Sequence, residues 1–201
     1  MADRSRSRLH PKVVSVGTDP GAAVREIRAG LRGMTPALVL LFAAEGALLA
    51  MLTAELHDAF WSGRRVLGCS SAGGFAFGAY RDDRMVAIAF PAATFRAEAI
   101  WLRDLRQHLA LDWIRALRRL AADFSAQAPS WSRFGLLMID GLCRREELVA
   151  ATVDAALGDR RCWAARPATG RARLHPSRPR RREPSRECVI FRLSPAPSRS
   201  R

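Results

Sequence analysis

The chain has 201 residues, enough for one domain with its own core, and hydrophobic residues make up 49% of it. That share excludes a chain that is disordered throughout. The net charge of +14 is concentrated in one segment, since residues 160–201 hold 13 arginines and two acidic residues, against 20 basic and 17 acidic residues elsewhere. The first 159 residues are therefore nearly neutral.

The cysteines and the apolar runs limit the class of protein. The four cysteines, at positions 69, 143, 162 and 188, lack the close spacing of a zinc site. No apolar segment follows the basic N-terminus, as a secretory signal requires. The longest apolar run, residues 37–52, is interrupted by Glu45 and is too short to cross a bilayer. We predict a cytoplasmic protein with reduced thiols, no metal, no cofactor and no membrane contact.

The first third of the chain alternates strand and helix patterns. Asp19 is expected to cap a helix with Pro20 in its first turn, and Gly33 closes that helix. An apolar run that continues on both faces is typical of a buried strand. In order, the predicted elements are a strand at 13–16, a helix at 22–31, a strand at 37–44, a helix at 47–60, a strand at 65–69 and a small-residue loop at 70–74.

The middle of the chain changes pattern. Strand-like segments at 75–80, 85–90 and 94–102 are separated by breaks so short that only antiparallel pairing is expected. An amphipathic helix, a buried strand ending at Asp140-Gly141 and a helix from Glu146 to Leu157 follow. The predicted fold class is α/β, with a mixed sheet, parallel central strands, an antiparallel hairpin insertion and flanking helices. No internal repeat is visible.

Regular patterning stops after Gly158. Six of the eleven prolines lie beyond it among arginine and serine, a composition that does not form a core. We predict a disordered N-terminus at 1–12, an α/β domain at 13–159 and a disordered Arg/Pro-rich segment at 160–201. That segment could bind nucleic acid non-specifically through counterion release. We favour the interpretation that it has no evolved function.

Three motifs resemble one protein family. They are Val66-Leu-Gly-Cys-Ser-Ser-Ala-Gly73, Tyr80-Arg-Asp-Asp-Arg-Met-Val-Ala-Ile-Ala-Phe90, and Leu136-Leu-Met-Ile-Asp-Gly-Leu142 with Glu146-Glu147. In this order they resemble the N-terminal domain of the FIST family, a bacterial and archaeal sensory module. The resemblance covers about residues 13–159, and Gly74 departs from it, since the family has an acidic residue there.

The resemblance implies the sensing of a small ligand. Amino acids are the ligands usually proposed for the family, and its signalling partners include histidine kinases and cyclic-dinucleotide enzymes. Some members are thought to bind haem through a histidine, but nothing in this sequence singles out one of its histidines.

The resemblance also raises a hypothesis about the reading frame. The family continues with a strand and a turn rich in Gly, Ser and Ala, whereas this chain has Arg161-Cys-Trp-Ala-Ala-Arg-Pro-Ala-Thr-Gly170. Joining the last base of each codon to the next two bases can give Leu-Leu-Gly-Gly-Ser-Ala-Gly-Asp-Gly. The first glycine is forced, because the Trp codon ends in G and Ala codons begin with GC. We hypothesise a frame shift near Asp159 that truncates the domain.

Candidate ligand-contacting residues follow two buried strands, since open α/β sheets bind ligands at the carboxyl ends of their strands. They are Cys69, Ser70, Ser71 and Gly73 in one loop, and Asp140 and Gly141 in the other. Asp140 could hold a ligand's amino group or cap the helix that follows. A hydrolase using Ser70, or Cys69 with His57 as base, is the catalytic alternative. Strand-like sequence rather than a helix follows Ser70, so we predict no enzyme.

Overall fold

The computed structural model describes residues 9–43, 49, 51–56, 65–70, 74–76, 79–81, 83–102, 110–127, 134–139, 144–157, 162–165 and 188–195. The strands are β1 (Lys12–Gly17), β2 (Pro36–Ala43), β3 (Arg65–Ser70), β4 (Gly74–Ala76), β5 (Ala79–Arg81), β6 (Arg84–Pro91), β7 (Phe95–Leu102), β8 (Phe134–Ile139), β9 (Cys162–Ala165) and β10 (Cys188–Pro195). The helices are α1 (Pro20–Gly30), α2 (described at 49 and 51–56), α3 (Ala110–Gln127) and α4 (Glu146–Leu157).

Helix α1 begins as the sequence predicts. The backbone N–H of Ala22 donates to the Asp19 carboxylate at 2.7 Å, and Pro20 stands in the first turn. The carboxylate thereby satisfies an N–H group that has no partner within the helix. Gly33, with φ of 78°, turns the chain toward β2 in a left-handed conformation that a side chain would strain.

The strands divide between two four-stranded sheets. Sheet 1 has the order β1-β6-β2-β3 and sheet 2 the order β7-β10-β8-β9, while β4 and β5 form a separate antiparallel ladder. In sheet 1, β6 is antiparallel to β1 and β2, and β3 is parallel to β2. In sheet 2, β10 is antiparallel to β7 and β8, and β9 is parallel to β8. The predicted mixed α/β class is confirmed, with its strands distributed over two sheets.

The sheets stack face to face, and helices cover their outer faces. The inner cluster is built from Leu38, Leu40, Leu67 and Cys69 of sheet 1 and Met138 of sheet 2, with Phe42, Ile88, Trp101 and Leu136 among the partly buried residues around it. On the outer face of sheet 1 lie Ile27 and Leu31 with Leu49 and Leu52. On the outer face of sheet 2 lie Trp113 and Leu117 with Val149 and Val153. The result is a four-layer α/β/β/α arrangement.

The chain crosses from sheet 1 to sheet 2 between β6 and β7. The predicted antiparallel pairing of segments 85–90 and 94–102 is wrong, because β6 pairs with β1 and β2 whereas β7 pairs with β10. Pro91 has no N–H to extend a ladder, and the N–H of Thr94 donates to its carbonyl at 3.2 Å. The rings of Phe90 and Phe95 meet edge to face, with centroids 5.3 Å apart. This crossing turn stacks the sheets instead of extending one.

Two strands lie in the segment for which the sequence predicts disorder. Strand β9 pairs with β8, and β10 lies between β7 and β8 in the middle of sheet 2. The structure therefore differs from the prediction at residues 162–165 and 188–195, and the rest of 160–201 lies outside the described residues. The physical reason at β10 is the run Val189-Ile190-Phe191, since β-branched and aromatic residues favour strands.

Candidate functional site

The parallel strands of both sheets end at the same end of the stack. Pro36 at the start of β2 pairs with Pro91, so the crossing turn lies at the amino-terminal end of β2. Strands β7 and β8 run in the same direction, because both are antiparallel to β10. The turn is short, so β7 starts near it. Strand β8 also starts near it, because Leu193 of β10 pairs with both Ala97 of β7 and Phe134 of β8. Strands β2, β3, β8 and β9 therefore end away from the turn, at what we call the carboxyl end of the stack.

The predicted ligand-contacting residues lie in or just beyond these strands. Cys69 and Ser70 are the last two residues of β3. Ser71, Gly73, Asp140 and Gly141 lie outside the described residues, directly after β3 and β8. Because β3 and β8 both finish at the carboxyl end, the structure brings the starts of the two predicted loops to one end of the molecule.

Cys69 faces the core between the two sheets. Its side chain is 3% exposed and belongs to the inner cluster. Burial raises the pKa of its thiol to about 12, so the thiol is neutral near pH 7. Cysteine acts as a nucleophile through its thiolate, and a neutral buried thiol contributes packing instead. His57, the proposed base for this residue, lies outside the described residues.

Ser70 and Gly68 face the opposite side of β3, toward α2. A Cβ atom on Gly68 would lie 2.4 Å from Cδ1 of Leu49, so the missing side chain allows the helix to approach the strand. Side chains alternate along a strand, which places the hydroxyl of Ser70 on the same helix-facing side, where the residue is 2% exposed. Strand β4 begins four residues later, so Ser70 does not occupy the strand-to-helix elbow of a serine hydrolase.

The contact between Gly68 and α2 is the feature of this region that the sequence analysis missed. The signal was a glycine inside a buried strand pattern, which commonly marks the close approach of another element.

Two further properties concern the described residues. Among them, no three His, Cys, Asp or Glu side chains come together in a way that could hold a metal ion. Over the same ranges, none of the helices is both long and apolar enough to span a membrane.

Burial of Cys69 should affect stability at alkaline pH. Its folded pKa of about 12 lies above the ordinary value of 9.0, so the folded chain keeps the proton at pH values where the unfolded chain releases it. The resulting stabilisation is complete below about pH 9 and is lost as the pH rises toward about 12. We expect Cys69→Ala to reduce the decline of the urea midpoint between about pH 8 and 11. Parallel pH profiles for the variant and the natural chain would contradict this assignment.

Comparison with known proteins identifies the family of the chain. The model of the FIST N domain family matches residues 37–162, which is 126 of the 201 residues. The match runs from β2 to the first residue of β9 and includes all three motifs that carry the resemblance. Among curated proteins, none matches the chain. The chain therefore belongs to the FIST N domain family, whose members are generally sensory domains in signal transduction.

Proposed function

We propose that this chain is the ligand-sensing part of a cytoplasmic signal-transduction system and that it binds a small amino-acid-like ligand at the carboxyl end of the stack. Family membership supports the sensory role. The observation that carries the location is that β3 and β8, which lead into both predicted loops, finish at the same end of the two sheets. The proposed contacts are Cys69, Ser70, Ser71, Gly73, Asp140 and Gly141.

The chemistry of these residue types suits an amino acid. Asp140 follows β8 directly and would pair with the ligand's ammonium group in a charge-assisted hydrogen bond. Small residues such as those that follow Ser70 in the sequence allow backbone N–H groups to approach a carboxylate closely. Cys69, neutral and buried at the end of β3, would contribute an apolar floor to the site. Binding without turnover is the function that this set supports.

Signalling would follow from a shift between two states of the domain. A ligand changes such an equilibrium only to the extent that it binds one state more tightly, and moving it from 1:99 to 99:1 needs about a 10⁴-fold difference in affinity. A partner such as a histidine kinase or a cyclic-dinucleotide enzyme would bind the favoured state. These partners come from the family resemblance and are part of the proposal.

A screen of the standard amino acids by thermal unfolding of the full chain tests the binding proposal. At 100 times its dissociation constant a ligand stabilises the folded state by about 2.7 kcal/mol, equivalent to roughly 5–10 °C for a domain of this size. We expect Asp140→Asn to abolish the shift, because it removes the charge that pairs with the ammonium group. Asp154→Asn is the matched control, since Asp154 is an exposed carboxylate on α4 and should leave the shift intact.

Two results would refute this proposal. One is the absence of a saturable shift with every amino acid. The other is an equal loss of the shift in both aspartate variants, which would show that charge at the carboxyl end has no specific part in binding.

Non-specific nucleic-acid binding through residues 160–201 is the alternative function, supported by their 13 arginines. Such binding weakens steeply between about 50 and 200 mM salt, because it depends on the release of counterions from phosphates. A saturable amino-acid shift that is insensitive to salt over this range would favour the sensory function.

A further inference from the structure

We propose that the domain is an internal duplication, in which two copies of one β-α-β-α-β-β unit stack through their sheets, and that the arginine-rich segment supplies the last strand of the second copy. Unit 1 comprises β1, β2, β3 and β6 with α1 and α2. Unit 2 comprises β7, β8, β9 and β10 with α3 and α4. The inference does not depend on the proposed ligand.

The two units share their topology. If the four strands of a unit are called first, second, third and last in chain order, both sheets have the spatial order first-last-second-third. In both, the last strand is antiparallel to its two neighbours and the third is parallel to the second. In both, a helix follows the first strand and another follows the second, and both helices cover the outer face of the sheet.

The spacing along the chain is also shared. Leu38 pairs with Arg65 in unit 1, and Gly135 pairs with Cys162 in unit 2, so the second and third strands are offset by 27 residues in each. The crossover through the outer helix therefore has the same length in both units. An offset of 96 residues relates Ala43 to Ile139, the last residues of the two second strands. The same offset relates the inner-facing residues Leu38, Leu40 and Phe42 to Phe134, Leu136 and Met138.

Strand β10 is the counterpart of β6. Each has eight residues, ends in a proline and lies between the first and second strands of its sheet. A terminal proline suits such a strand, because it stops the hydrogen-bonded ladder there. Unit 1 inserts the β4–β5 ladder between its third and last strands, where unit 2 has residues 166–187. The FIST match ends at residue 162, so the last strand of unit 2 comes from beyond the matched region.

Hydrogen exchange of the full chain, followed by mass spectrometry, tests whether β10 completes the second unit as β6 completes the first. If β10 is the counterpart of β6, amides at 189–194 should exchange on the order of 100-fold or more slowly than unprotected amides, within the range found at 85–90. Rapid exchange at 189–194 with β7 and β8 protected would overturn the proposal, because strand β10 would then be absent from the sheet.

A pair of proline variants provides the second measurement. Ile190→Pro removes an N–H group from the middle of β10 and should also abolish protection in β7 and β8. Ser198→Pro, three residues beyond β10, is the control and should leave protection unchanged. Equal protection of β7 and β8 in the two variants would overturn the proposal. If Ile190→Pro fails to fold, the exchange pattern of the natural chain still decides the question.

Discussion

A chain that ends at Glu187 is expected to lose the cooperative unfolding transition of sheet 2. Strand β10 pairs with β7 over eight positions and with β8 over six, and β7 and β8 have no backbone pairing with each other. Its removal leaves the N–H and C=O groups on one side of both strands without partners. Each such group costs about 1–3 kcal/mol when it stays buried, and the whole stability of a domain is only about 5–15 kcal/mol.

Circular dichroism melting and binding of a hydrophobic dye would measure this loss. We expect the shortened chain to melt broadly and to bind the dye before heating, because the inner face of sheet 2 is no longer held in place. A chain ending at Pro195 keeps all of β10 and is the matched control. A sharp melting transition within a degree or two of the control would contradict the central position of β10.

The second large effect is expected at Gly68. In Gly68→Val the new Cβ atom would lie 2.4 Å from Cδ1 of Leu49, and Leu49 is fully buried. Such overpacking typically costs about 1–3 kcal/mol, and we expect the upper end because α2 must move away from β3. Urea unfolding of the purified variant measures the change in the free energy of unfolding.

Two further variants separate the close contact from the general effect of a new side chain. Leu49→Ala combined with Gly68→Val removes three carbons and adds three, so the double variant should be more stable than the sum of the single effects predicts, by at least about 0.5 kcal/mol. Gly17→Val is the control, because nothing lies within 4 Å of a Cβ atom there. Strictly additive costs for Gly68 and Leu49 would refute the proposed contact.

Much of the local structure follows from the sequence. The helix predicted from Glu146 to Leu157 has those bounds in the structure, and Asp19 caps α1 as expected. Acidic residues in a first turn, a capping carboxylate and apolar periodicity act over a few residues, so one segment contains all the information that they need.

The division into two sheets could not be predicted in the same way. Leu40 and Leu41 are neighbours of one type, yet Leu40 packs against the other sheet and Leu41 packs toward the helices. A strand that is apolar on both faces shows that both are covered, but its composition does not show whether a helix or a sheet covers them. The duplication is hidden for a related reason, since the two units share topology and spacing with little visible sequence identity.

The candidate site was also only partly predictable from the sequence. Its position after β3 and β8 follows from the strand-to-loop pattern, but which of Cys69 and Ser70 faces a helix depends on which face of β3 is covered by α2. Strand β10 was missed because the many arginines of the segment outweighed a short apolar run. The three residues Val189-Ile190-Phe191 favour a strand when they are considered alone. When the pattern is averaged over about forty residues rich in arginine and proline, that preference is no longer visible.

The frame-shift hypothesis stays a prediction, and two features of the structure bear on it in opposite directions. With the 96-residue offset, Gly68 corresponds to Ala164, and the forced glycine of the alternative frame arises from the codons of Trp163 and Ala164. That coincidence favours the shift. Strand β10 favours the present frame, because its apolar run fills the last-strand position of unit 2. The coding DNA across Asp159 would decide between them.

The crossing turn between Pro91 and Phe95 has a mechanical consequence. It connects the two sheets at one end. When the angle between the sheets changes, the displacement of one sheet relative to the other is therefore small at the turn and grows along the strands. A six-residue strand is about 20 Å long, so a rotation of about 3° displaces its far end by about 1 Å. The largest relative movement therefore falls at the tips of β3 and β8. A molecule bound to the ends of both strands would hold the two sheets at one angle, and its release would allow that angle to change.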